Sequence, residues 1–338
     1  MSCWEIMFRF SRILQFVIVA AICGMPSPVV AAIIDWVTVG DPGNVPYEHG
    51  FGGVDYAYRI GQFEITKGQY AEFLNAVAQA DPNGIYHPGM GELLLRGGIL
   101  RAGDEGAYLY HAAPGRENQP VAWASFWNAI RFANWLHNGQ PVGPQGPETT
   151  EDGAYTITPE GIATNTITRN PNARVFIPST DEWIKAAYYK GGGTDAGYWQ
   201  WPFRSDEEPI KDIPPGGPNS ANYGSSVGGL TNVGSFPDSF GPYGTYDQGG
   251  NVWEWTDTMT PNADGDAVHR GLYGGSWFLN GENALSVDLI HGAPPSRDFS
   301  VRGFRVASIV PEPASVSMTI IALTALLHAC RRVSRRRC

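Results

Sequence analysis

Glycine and proline punctuate this chain so densely that no long regular element fits between them. Together they make up 68 of 338 residues, about a fifth, against roughly 12% in average usage. Proline fixes its own φ and lacks an N–H, and glycine costs extra backbone entropy, so both interrupt helices and strands. Yet the chain also carries 11 Trp, 15 Tyr and 15 Phe, and disordered chains are poor in aromatics. The combination calls for a packed, loop-rich fold with short helices and strands. It excludes coiled coils, collagen and helical repeats.

The cysteines add a second constraint. Cys3 and Cys23 lie near one end, Cys330 and Cys338 near the other, and residues 33–310 contain none. That body has no disulfide, no thiolate metal site and no cysteine nucleophile. Between Ile33 and Val310 stand 16 basic and 31 acidic residues, a balance of −15. An acidic body does not track phosphate backbones, so nucleic acid is not expected as a partner. Excess acid attracts cations such as calcium, although solubility alone also accounts for it.

Both ends read as addresses. Arg9 and Arg12 precede the apolar run Ile13–Cys23, Pro26 and Pro28 break it, and Val30-Ala31-Ala32 offers small residues for cleavage. Residues 1–32 therefore have the form of a secretory signal peptide. The tail 310–338 sets Pro311-Glu312-Pro313 before an uncharged apolar run from Ala314 to Cys330 and an arginine cluster at 331–337. The cluster would stay in the cytoplasm and leave the body outside. This order resembles the PEP-CTERM sorting tail of some Gram-negative-type bacteria. The resemblance implies an exosortase-type sorting machinery as partner, cleavage near the Pro-Glu-Pro, transient membrane anchoring through the tail and delivery to the surface or matrix. A plain C-terminal anchor is the alternative.

Residues 33–309 show no internal repeat and no linker that divides them. Thr66-Lys67-Gly68-Gln69 has the form of a capping box, with Tyr70, Phe73, Leu74 and Val77 following at helical spacing. Ser125 and Asn128 open a second helix that Gly139 ends, and Ser179-Thr180-Asp181-Glu182 opens a third that stops at Gly191-Gly192-Gly193. Strand-like runs cover 58–65, 174–177, 252–256 and 304–309. From Trp201 to Tyr246 the chain reads as irregular loop, and so long a stretch needs a device to hold it, either a metal ion or aromatic packing.

Six of these segments, in order, resemble one family. They are Glu64-Ile65-Thr66 with Gln69-Tyr70 and Phe73-Leu74; Pro120-Val121 through Ser125 to Ala129; Phe176-Ile177-Pro178-Ser179-Thr180-Asp181-Glu182-Trp183; Gly250-Asn251-Val252-Trp253-Glu254-Trp255-Thr256; Gly274-Gly275-Ser276-Trp277; and Gly303-Phe304-Arg305-Val306. They are similar to the signatures of the formylglycine-generating enzyme, or sulfatase-modifying factor, domain. The resemblance implies an α+β fold, a single C-type-lectin-like variant domain with little regular secondary structure.

It also implies what is missing. In the enzymes that name the family, two cysteines after the Gly-Gly-Ser motif hold copper, which uses oxygen to oxidise a sulfatase cysteine to formylglycine. The matching positions here are Leu279 and Ala284, which cannot ligate a metal, so no copper is expected. Six histidines lie in the body, at 49, 87, 111, 137, 269 and 291, with no pair at ligand-motif spacing.

The family's structural calcium carries over onto Asp247, Gly250, Val252 and Glu254, with a further site at Asn222 where Ser225 stands in for a carboxylate. Hard oxygen ligands of this kind suit calcium. Ser276 and Trp277 are candidate binding residues, although a turn serine and a core tryptophan fit the same pattern. Asp181 and Glu182 are already explained by the capping box, and Arg302 and Arg305 by structural ion pairs. The function expected is a non-catalytic binding module for a surface peptide, protein or polysaccharide. The alternative is an oxygen-dependent oxidase of the formylglycine-generating type with a different metal ligand set.

Overall fold

The Thr66 hydroxyl accepts from the Gln69 N–H and the Thr66 N–H donates to Gln69 Oε1, so helix α1 starts where its capping box predicts and runs Lys67–Val77. Ser125 caps α2, Phe126–His137. A short α3, Pro159–Thr164, follows a Thr158 cap, and the Ser179–Glu182 box opens α4, Thr180–Tyr188. These starts depend on residues three positions apart, so local sequence suffices to place them.

The computed structural model describes residues 31–93, 97–261, 268–279, 281–289 and 291–311. Most of the signal segment and nearly all of the sorting tail lie outside the described residues. Among those described, no helix is long and apolar enough to cross a membrane. Ala32 belongs with the body: its N–H donates to Gln140 Oε1 at 2.7 Å and its carbonyl accepts from Gln140 Nε2 at 3.0 Å.

Twelve short strands are present among the described residues. The first four-stranded sheet has the order β1 (Trp36–Val39), β2 (Tyr58–Gly61), β12 (Ala307–Ile309), β5 (Val175–Phe176). Every pairing in it is antiparallel. The second has the order β10 (Gly292–Ala293), β9 (Val268–Tyr273), β8 (Trp253–Pro261), β11 (Arg302–Gly303), with β11 parallel to β8. β3 (Ile99–Ala102) and β4 (Leu109–Ala112) form a separate antiparallel pair.

Of the run expected at 304–309 only 307–309 forms a strand, while the residues just before the run join the other sheet. Residues 302–303 serve the second sheet and 307–309 the first, and Arg305 sits at the crossing, fully buried. The run at 252–256 extends to Pro261 because β9 pairs along it.

Between the helices and the first sheet lies an aromatic core. Tyr70 of α1 stacks on Phe132 of α2 with centroids 5.9 Å apart, Phe73 meets Trp135 at 5.3 Å, and Phe304 closes on Phe132 at 5.4 Å. Each such ring buries a large apolar area and adds about 0.5–1.5 kcal/mol of pair geometry. The stretch 201–246 contains only two-residue strands, β6 (Ile210–Lys211) and β7 (Ser220–Ala221). Aromatic packing secures it at both ends: Trp201, Phe203 and Tyr223 cluster with Leu285, and Tyr246 stacks on Phe63 at 5.4 Å.

Candidate functional site

The segment that leads into β8 carries most of the expected ligands. Asp247, Gly250 and Asn251 all take positive φ, at 59°, 93° and 54°, which winds the chain into a tight left-handed turn. Glycine is required at 250 for a second reason. A Cβ there would stand 2.5 Å from the carbonyl oxygen of Asn222. That same carbonyl accepts the N–H of Asn251 at 2.9 Å. The structure thus brings Asn222 against the Asp247–Val252 turn and makes one neighbourhood of the two expected sites.

Its electrostatics centre on Arg305. The guanidinium donates from Nε to Glu254 Oε2 at 2.6 Å and from Nη2 to Glu254 Oε1 at 2.7 Å, with neither side chain exposed. Its remaining donors reach the carbonyls of Gly61, Gln62 and Tyr246. Trp183 Nε1 also donates to Glu254 Oε2, at 2.8 Å. Glu254 is therefore the counter-ion of Arg305, with both oxygens committed. Burial favours the neutral form of Arg305, but Glu254 beside it outweighs burial and raises its pKa.

Two more carboxylates share this pocket. Asp247 accepts the N–H of Gly234 at 2.6 Å, and burial pushes it up to about 6. Glu64, 1% exposed, is raised well above the ordinary carboxylate range by burial first, then by Asp247 and Glu254. Its Oε2 receives only Asn251 Nδ2, at 3.3 Å. Among the described residues Glu64 Oε1 and Asn222 Oδ1 are buried oxygens without a donor, a costly condition that a cation or water relieves.

The residues accordingly fit a calcium ion in part. Asp247 and Asn222 offer oxygen, whereas the Glu254 side chain is spent on Arg305. Glu64 was read only as part of the first family signature, and no signal near it reveals that it faces Asp247 and Glu254.

Around the Gly-Gly-Ser motif the surroundings are apolar. A Cβ on Gly275 would touch Leu285 Cδ1 at 2.9 Å and Ala284 Cβ at 3.3 Å, so Ala284 lies directly against the motif, packed beside the Trp201–Tyr223 cluster. Leu279 follows the turn, its N–H donating to the Ser276 carbonyl at 3.2 Å. Ser276 is 1% exposed and its Oγ has no partner among the described residues, so no base stands ready to deprotonate it. Trp277 is buried with Ala122, Leu230, Val252 and Val301. Both binding candidates therefore lie inside, and Phe278, 57% exposed, is the aromatic of this turn that meets solvent. The body histidines form no group of three or more with other His, Cys, Asp or Glu side chains among the described residues.

A second ionic cluster had no signature in the sequence. Arg169 binds Glu182 through both terminal nitrogens, at 2.9 and 2.7 Å, and Asp257 through Nε at 2.8 Å. Tyr56 donates to Glu182 Oε1 and Tyr155 to Asp257 Oδ2. Arg302, expected in an ion pair, instead lies over Trp255 with its charge 5.4 Å from the ring centroid.

Comparison with known proteins bears on the domain and its fold. The model of the sulfatase-modifying factor enzyme 1-like domain matches residues 54–310. Among solved structures, CarF is 23% identical with a TM-score of 0.50, covering 83% of this chain and 100% of its own. Treponema denticola variable protein 1 is 20% identical, TM-score 0.45, covering 83% and 94%. PvdO from Pseudomonas aeruginosa is 20% identical, TM-score 0.42, covering 82% and 92%. At such identities CarF speaks for the fold alone. No curated protein matches.

Proposed function

Because the chain belongs to the sulfatase-modifying factor enzyme 1-like domain family over residues 54–310, we propose that it is a non-catalytic, exported member that binds a partner at the cell surface. One observation carries this reading: Leu279 and Ala284 stand where the resemblance places the copper-binding cysteines. Aliphatic side chains cannot ligate a metal, and residues 33–310 hold no other cysteine. The surroundings of Ala284 are consistent with it, since Gly275 and the Trp201–Tyr223 cluster enclose that position in apolar atoms. The partner is a surface peptide, protein or polysaccharide, and the tail delivers the body through exosortase-type sorting.

Incubating the purified full chain with copper, oxygen and a sulfatase-type cysteine peptide tests the reading. The peptide thiol should survive with no aldehyde formed. Loss of the thiol with gain of an aldehyde would establish the rival, an oxygen-dependent oxidase with another ligand set. In a host with an exosortase, intact-mass measurement of surface protein should find the arginine cluster at 331–337 absent, and a retained Arg337 would point to a permanent anchor.

Calcium is the structural part of the proposal. Asp247, Asn222 and the carbonyls of Gly250 and Val252 would hold it, and the buried oxygens without donors support it. About one calcium per chain by mass spectrometry, lost on Asp247→Ala, is the expected result. An Asp247→Ala chain with unchanged calcium would move the ion elsewhere.

A further inference from the structure

The loop 44–53 and the loop 193–198 enclose an open cleft of about 310 Å³. That is the small end of the range for ligand sites, with room for one long side chain. Its walls are Val45, Pro46, Tyr47, Gly197 and Tyr198, and its charged residues are Glu48 and Asp195. No lysine or arginine lines it.

The walls are fixed before anything binds. Val45 N–H donates to the Thr194 carbonyl at 2.7 Å, joining the two loops. Tyr198 Oη lies 2.8 Å from both Asn44 Nδ2 and the Gly52 carbonyl and 3.0 Å from the Val45 carbonyl. Tyr47 donates to Asp288 Oδ1 at 2.8 Å, and the two rings meet edge to face at 5.4 Å.

With both hydroxyls committed, the tyrosines offer the cleft ring carbon. Rings and the Val45–Pro46 surface suit an aliphatic stem, and aromatic faces attract cations. Glu48 and Asp195 are exposed and, among the described residues, neither is paired with a cation. Their charge is available to a ligand. The surrounding field has the same sign: burial, Asp288 and Glu48 together push the Tyr47 hydroxyl up to about 12.

We infer that the Tyr47–Tyr198 cleft is a docking site for a lysine or arginine side chain presented by a protein partner. The stem lies against Val45, Pro46 and the rings, and the cationic head reaches Glu48 and Asp195. This goes beyond the binding-module reading, because the cleft would serve whether or not the Gly-Gly-Ser region retains chemistry.

Titration calorimetry of the full chain with tetralysine, at 50 and 300 mM salt, tests it. Binding should be present at low salt, weaken at high salt, and vanish for tetralysine acetylated on every side-chain amine. The double variant Glu48→Gln/Asp195→Asn should weaken it at least about fivefold. Glu207→Gln/Glu208→Gln, on a separate loop, should leave it unchanged. No binding at low salt, or equal loss in the two double variants, would overturn the inference, the latter by assigning the affinity to the overall negative charge.

Discussion

Two arginines anchor this molecule from within, and their carboxylate partners differ in number and in satisfaction. Arg169 faces two, Glu182 and Asp257, and Tyr56, Tyr155 and the Ser179 N–H supply further hydrogen bonds. Burial acts to raise Glu182, but Arg169 outweighs it and holds the carboxyl below its ordinary value. Arg305 faces three, Glu254, Asp247 and Glu64, and binds only Glu254 directly. The first cluster is closed, each acid bonding its arginine directly. The second has acid to spare, and its spare oxygens lie beside Asn222 and the Asp247–Val252 turn. One guanidinium can thus be a finished clasp while another leaves the Glu64 Oε1 beside it without a donor among the described residues.

Removing the guanidinium breaks the comparison most sharply. Arg305→Ala would leave Glu254 buried and unpaired, which costs about 3–5 kcal/mol. Urea denaturation should show a smaller loss for Arg169→Ala, whose side chain is 21% exposed and admits water. If Arg305→Ala fails to fold, the double variant Arg305→Leu/Glu254→Leu should recover much of the loss, because it buries no lone charge.

The carboxylates should separate next. Glu182→Gln exchanges a charged bond for a neutral one and should cost about 1.5–3 kcal/mol. Glu64→Gln should cost well under half of that, since one amide donor at 3.3 Å is all that is lost. Equal costs would mean that Arg305 draws on Glu64 as strongly as Arg169 draws on Glu182.

Buried lysines extend the contrast with opposite sign. Lys67 donates to the Gly97 carbonyl and Gln119 Oε1, both at 2.7 Å, and burial, with Arg116 nearby, lowers it to about 7. Lys185 is lowered to about 8, again chiefly by burial. Between those values and the unfolded value near 10.4 the unfolded chain binds more protons, so stability should rise with pH from about 7 to 10. Lys67→Met should flatten that rise, as denaturation midpoints at pH 7, 8 and 9 would reveal. Smallest of all, Tyr56→Phe removes one bond to Glu182 from a half-exposed residue and should cost about 0.5–1 kcal/mol.

The division between legible and illegible parts follows sequence distance. Thr66 with Gln69 and Ser179 with Glu182 are three residues apart, so their helices could be read directly. Asp247 and Glu254 were singled out only through the family resemblance, and Glu254 is committed to Arg305. The claim of Arg305 on Glu254 spans 51 residues, and nothing in either segment announces it. Arg169 gives less still, since neither of its acids lies in a motif that names an arginine. Strand lengths were misjudged at 304–309 for a related reason: hydrophobic periodicity continues across Arg305 while the backbone changes sheets there.

The place of β12 has a consequence for how the chain is made. Ala307 pairs with Ile60 on one side and Phe176 on the other, so the final strand fills the middle of the first sheet. Until residue 307 has emerged from the ribosome, no strand joins β2 to β5, and its partner Ile60 lies 247 residues before Ala307. Long-range closure of this kind is slow. A chain that cannot finish its first sheet until β12 arrives completes that sheet only after most of the body has been made.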